Sequence, residues 1–104
     1  IAKSIDKILT TYDAIIAPTR PQPATPITQE FRKSASTSSH DILGAIGNAA
    51  GLPAISVPNG FTDQGLPTGL QFIGRAYNEN VIIALANAYQ SRTSWHDHHP
   101  PSFP

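Results

Sequence analysis

Two short apolar runs, Ala54 to Pro58 and Thr68 to Ile73, flank a Gly/Pro-punctuated loop within residues 48–74, NAAGLPAISVPNGFTDQGLPTGLQFIG. This arrangement constrains the fold more than any other feature of the chain. Both runs are shorter than a typical globular helix, carry β-branched residues and are bounded by glycine and proline, so they are predicted as two strands joined by a turn. The stretch supplies scaffold and carries no activated nucleophile of its own.

The remaining elements fall around this hairpin. Ile1, Ile5, Ile8 and Leu9 recur at helical spacing, with Lys3, Ser4, Asp6 and Lys7 on the opposite side, which predicts an amphipathic helix at the start. Ala14 to Ala17 is a continuous apolar run closed by Pro18, the pattern of a strand buried on both faces. From Pro18 to His40 the chain holds four prolines and many Ser and Thr without an apolar period, and reads as a long extended loop. Loops of that length in compact domains are commonly either functional or disordered, so this one is expected either to wall a pocket or to be loosely held.

Ser39 or Asp41 can cap a short helix carrying Ile42, Leu43, Ala45, Ile46 and Ala49, with Gly51 placed as its left-handed stop. The small residues Gly44, Ala45, Gly47, Ala49 and Ala50 allow that helix to approach a sheet closely. Asn78 or Glu79 opens a last helix with Val81, Ile82, Leu85, Ala86 and Tyr89 on one face, and residues 93–104 form an irregular tail. The order helix, strand, loop, helix, strand, strand, helix predicts an α/β fold: one domain with a mixed sheet of about three strands and flanking helices. In this scheme the first strand, the Asp41 helix and the second strand form a right-handed crossover, and the second and third strands are antiparallel.

Composition narrows the function classes. Seven Lys plus Arg balance seven Asp plus Glu, which leaves no electrostatic footprint for nucleic acid or an anionic membrane. Charged residues are 13% of the chain, about half the usual share, a surface expected to be partly covered by other protein. The absence of cysteine removes disulfides, thiolate metal sites and cysteine nucleophiles together, and with no membrane-length apolar run a cytoplasmic location is expected.

NAAGLPAISVPNG followed by GLPTGLQFIGRAYNENVIIALANAYQ resembles the C-terminal part of amidase-signature hydrolases, the family that includes amidases and the A subunits of aminoacyl-tRNA amidotransferases. The upstream YDAIIAPTRPQPATPI is similar to the family's strand and proline-rich loop, so the resemblance runs from about Ile1 to Arg92. It implies an enzyme that cleaves amide bonds with a Ser, cis-Ser, Lys triad, needs no cofactor, and carries that triad in a Gly/Ser-rich segment outside this chain. Such chemistry requires a hydroxyl beside a lysine able to take its proton, together with backbone donors for the oxyanion. Here the adjacent serines Ser38 and Ser39 have no flanking glycines, and Lys3, Lys7 and Lys33 have the surroundings of solvated surface residues. No catalytic residue is therefore expected in this chain, and alone it is expected to be inactive.

Four residues remain as substrate-contact candidates. Asp41 lies before Asn48 where, by the same resemblance, some amidotransferase-type members carry an aspartate that reads a substrate amino group; capping its own helix is the alternative. Thr19 stands at the carboxyl end of the first strand, where open α/β sheets place ligands, and its hydroxyl can bond a substrate carbonyl or stabilise a turn. Asn48 can tie neighbouring loops together through its amide. Phe31 either walls an acyl pocket or pins the long loop to the core.

The tail sequence WHDHH offers His96, Asp97, His98 and His99 as potential metal ligands, but adjacent side chains diverge on an extended chain, and no metal site is expected. The expected partners are the rest of an amidase domain and, in the complete enzyme, a small amide substrate, with no nucleic acid and no membrane. Strands taken from a larger sheet leave edges and apolar helix faces open, so the chain alone is expected to self-associate. The alternative function is a stand-alone noncatalytic binding or assembly module built on the same scaffold.

Overall fold

The structure, a computed structural model, describes residues 2–20, 22–28, 47, 48 and 50–103. Helix α1 spans Ala2–Thr11 and strand β1 Ala14–Pro18; residues 47, 48 and 50 are helical; then follow β2 (Ala54–Phe61), β3 (Pro67–Gly74), helix α2 (Glu79–Gln90) and a 3-10 turn at Trp95–Asp97. In α1 the i, i+4 pair Ile5 and Leu9 is buried while Lys3, Asp6 and Lys7 face solvent, as helical periodicity requires. The helical segment stops at Gly51, whose φ of +71° is the left-handed conformation that glycine adopts without a Cβ penalty. There the Leu52 N–H donates to the Gly47 carbonyl at 2.9 Å and the Gly51 N–H to that of Asn48 at 3.2 Å, the paired bonds of a Schellman stop.

The three strands form an α/β layer in the order β1-β3-β2. Both ladders are antiparallel, so β1 and β2 run in the same direction with β3 between them. The two strands expected on either side of the crossover are thus co-directional but do not pair, because the hairpin folds β3 back into the gap. Between Phe61 and Pro67 the turn closes with Gly65 N–H on the Thr62 carbonyl at 2.9 Å and Thr62 N–H on that of Leu66 at 2.8 Å. Gly65, at φ +83°, supplies the left-handed residue this turn needs.

Ladder alternation explains where prolines are tolerated. The Thr19 N–H donates to the Gly69 carbonyl at 2.9 Å, so residues 15, 17 and 19 point their backbone groups at β3 and residues 14, 16 and 18 point theirs outward. On the other side the Gly74 N–H donates to the Pro53 carbonyl at 3.0 Å, which turns Ala54, Ser56 and Pro58 outward. Pro18 and Pro58 therefore lack a donor only where no bond to β3 is due. The β2 ladder shifts register between Pro58 and Gly60, a bulge at Asn59, whose Oδ1 accepts the Thr68 hydroxyl at 2.7 Å.

One face of the sheet carries the core. Val57 and Phe72 are buried against Ile82 and Ala86 of α2, with Ile55, Leu70, Leu85 and Tyr89 packed around them. Each large apolar side chain removed from water this way contributes about 1.5–3 kcal/mol. On the opposite face Ala17, Gln71 and Ile73 are buried, and a Cβ at Gly47 would lie only 3.8 Å from Ile73 Cγ2. That is an ordinary van der Waals distance, at which the small-residue helix meets the sheet. Its caps Ser39 and Asp41, and the residues from Ile42 to Ile46, lie outside the described residues.

Burial of β1 differs from expectation. Ala17 is buried but Ile16 is 59% exposed, because α2 packs mainly on β2 and β3, with Ala14 of β1 only at the margin of that cluster. The last helix forms where its periodicity placed it, and Asn78 occupies its N-cap position without any side-chain cap bond. Among the described residues no helix is long and apolar enough to cross a membrane.

Candidate functional site

At the carboxyl end of β1 three strands bring hydroxyls together. Thr19, one residue beyond β1, and Ser56 on β2 lie on the same side of the sheet, with β3 running between them. Their hydroxyl oxygens are 2.6 Å apart, so one donates to the other across the central strand. Gly69 makes this possible: a Cβ there would stand 2.8 Å from Thr19 Oγ1 and 3.1 Å from Ser56 Oγ. Beneath the pair Gln71 is 4% exposed and donates its side-chain amide to the Pro18 carbonyl at 3.2 Å. That bond satisfies a carbonyl which the β3 ladder leaves outward. Beyond Thr19 the chain extends over a 310 Å³ cavity lined by Arg20, Pro23, Ala24 and Thr25.

The hydroxyl pair can orient a polar group, but neither oxygen is bonded to a lysine amine or an imidazole among the described residues. A serine in that state is a weak nucleophile. Lys3 and Lys7 sit on the exposed face of α1. Of the other sequence candidates, Asn48 is exposed in the helical segment, and its carbonyl serves the Gly51 stop. Thr19 and Asn48 share no hydrogen bond among the described residues. Phe31 and Asp41, like Ser38, Ser39 and Lys33, lie outside those residues.

A second feature lies at the other side of the hairpin. Trp95 packs edge-on to Phe61 with ring centroids 6.1 Å apart, and His98 stacks on Trp95 at 5.8 Å. Phe61, Pro67, Trp95, His98 and Pro100 line an open cavity of about 510 Å³. His98 Nδ1 is 3.0 Å from the Ser94 carbonyl, so that nitrogen carries the hydrogen and donates. His96 Nε2 lies 3.6 Å from its neighbour Asp97. Among the described residues no three His, Asp or Glu side chains lie close enough to hold a metal ion.

No sequence signal singles out Arg75. It donates through Nε to the Leu9 carbonyl and through Nη2 to that of Tyr12 at 3.3 Å, and its guanidinium is 3.6 Å from Asp13. It thereby caps the carbonyls left free at the end of α1 and fixes that helix to the end of β3. Ser56 likewise escapes a reading of the sequence. A glycine inside a strand run is the available hint, because it marks close approach of neighbouring groups.

The model of the family described as Amidase matches residues 1–83. The chain belongs to the amidase family. It is similar to the A subunit of glutamyl-tRNA(Gln) amidotransferase from Oceanobacillus iheyensis, 40% identical over 100 residues, a match covering 96% of this chain and 20% of that protein. The proteins of the same name from Geobacillus stearothermophilus and Halalkalibacterium halodurans are 40% and 41% identical, with the same coverage. This amidase-family chain thus spans about one fifth of the length of the curated relatives it matches. The amidase match stops before the Trp95 turn, whereas the hydroxyl pair on Thr19 and Ser56 lies inside it.

Proposed function

We propose that this chain is the C-terminal portion of an amidase-signature hydrolase, and that it supplies sheet strands and part of a substrate pocket for amide-bond cleavage. The reacting groups, a Ser, cis-Ser, Lys triad, belong to polypeptide outside these residues. Membership of the amidase family over residues 1–83 carries this reading.

In this reading the chain contributes positioning. Holding an amide carbonyl within reach of a nucleophile replaces an encounter in solution with an intramolecular one, which supplies a large part of enzymatic rate enhancement. Thr19 is the described residue best placed for that work, since it directly follows β1 with its hydroxyl already fixed by Ser56. Asp41, Phe31 and Asn48 are the remaining proposed contacts.

The test is an ammonia-release assay on aliphatic amides, aryl amides and glutamine. The isolated chain is expected to release none, and the complete gene product to release ammonia until its triad serine is replaced. Turnover by the isolated chain that resists serine-directed inhibitors and survives replacement of its own serines would overturn the proposal.

A further inference from the structure

Asn59 and Gly60 are the one Asn-Gly pair in the sequence, and the fold places them where β2 departs from regular pairing. Pro58 faces Gly69 and Gly60 faces Thr68, so Asn59 has no partner in the ladder and is the extra residue of the bulge. Gly60 follows at φ +142°, a conformation that glycine adopts without strain. Both residues are half-buried, so water reaches them.

An asparagine side chain is chemically labile before glycine. The backbone nitrogen of the following residue lies within reach of the side-chain Cγ, and a glycine has no Cβ to hinder it. Regular strand pairing opposes the attack by holding that nitrogen in the ladder, whereas a bulge disrupts the ladder locally. The attack also needs a donor for the oxygen on which charge collects. Thr68, opposite Gly60 on β3, donates its hydroxyl to Asn59 Oδ1 at 2.7 Å. A donor fixed on a carbonyl oxygen favours the tetrahedral oxyanion over the planar amide. The same bond also restrains the side chain, so the two roles of Thr68 predict opposite effects when the hydroxyl is removed.

We propose that Asn59 is a site of spontaneous modification, converted to aspartate and isoaspartate with the Thr68 hydroxyl as oxyanion donor. The Gly60 nitrogen loses its proton to solvent hydroxide and bonds to Asn59 Cγ. Charge collects on Oδ1, facing the Thr68 hydroxyl. The Cγ–Nδ2 bond then breaks, and Nδ2 takes a proton from water and leaves as ammonia. Water opens the resulting five-membered imide at either carbonyl, which yields aspartate or isoaspartate. Isoaspartate adds one atom to the backbone at the bulge, next to Trp95, whose indole would stand 3.9 Å from a Cβ on Gly60. None of these groups takes part in the proposed amide cleavage, so the site stands or falls apart from it.

Peptide mass mapping of the complete gene product, held at mildly alkaline pH, tests it: exchange of NH2 for OH raises the mass, and chromatography separates the isoaspartate form. Asn48, Asn78, Asn80 and Asn87, none followed by glycine, are the internal references. Asn59 is expected to react ahead of all four, and at least as fast in the folded protein as in urea. Thr68→Val should slow it about 3- to 10-fold, the rate equivalent of one hydrogen bond, while Thr68→Ser keeps the parent rate. In urea both variants should match the parent. Asn59 reacting no faster than the other asparagines overturns the proposal. So does a folded Thr68→Val protein that reacts as fast as the parent or faster, which would leave Thr68 a restraint only. Should Thr68→Val fail to fold, a folded parent slower than the unfolded one overturns it as well.

Discussion

Replacing Gly69 with alanine tests why a glycine occupies the central strand. Gly69 does not have a positive φ, so its backbone accepts alanine without strain. The added carbon, however, would sit 2.8 Å from Thr19 Oγ1, 3.1 Å from Ser56 Oγ and 3.2 Å from Thr19 Cβ. Rotating the two hydroxyls away relieves the first two contacts and breaks the 2.6 Å bond between them; the third is held by the backbone of residue 19 and requires β1 to shift. Overpacking of this kind costs about 1–3 kcal/mol. The lost bond adds about 0.5–1 kcal/mol, at the low end because both hydroxyls can reach water. Restricting the unfolded chain returns about 0.4–1 kcal/mol. The net expectation is a loss of about 1–2 kcal/mol, read as a fall in melting temperature of about 5–15 °C and a lower urea midpoint at unchanged slope. The same substitution in a Thr19→Ala background should cost less, with a coupling of about 0.5–1.5 kcal/mol. A Gly69→Ala protein as stable as the parent, or an equal cost in both backgrounds, refutes the hydroxyl bridge as the reason for the glycine.

Two further substitutions separate effects that the structure places side by side. Arg75→Ala removes donors from the Leu9 and Tyr12 carbonyls and should lower stability by about 1–2 kcal/mol in urea titrations, whereas Asp13→Ala, which loses only an exposed ion pair, should cost under about 0.5 kcal/mol; equal effects would mean that the ion pair and not the helix cap matters. Gly51→Ala meets no atom within 4 Å but must adopt φ +71°, so its expected cost of about 1 kcal/mol is backbone strain alone, and Gly51→Asn should recover part of it in the same unfolding measurement.

Much of the architecture is legible from local chemistry. The hairpin between Ala54 and Gly74, the helix at Glu79–Gln90 and the glycine stop at Gly51 each follow from side-chain periodicity or from backbone freedom, properties a residue carries with it wherever the chain goes. The motif order from Ile1 to Arg92 likewise points to the amidase family, and the family match over residues 1–83 bears this out. Membership is readable because the strand and turn chemistry that carries it is written in consecutive residues.

What sequence could not supply are relations between residues distant along the chain. That β3 lies between β1 and β2, that Thr19 meets Ser56 over Gly69, and that Arg75 reaches back to Leu9 all depend on how the sheet closes. The apolar run Ala14 to Ala17 predicts a strand covered on both sides, yet α2 packs mainly on the other two strands and leaves Ile16 open. Local propensity names the strand, whereas its neighbours and exposed edge come from packing, where burial of Val57, Phe72, Ile82 and Ala86 decides which elements meet.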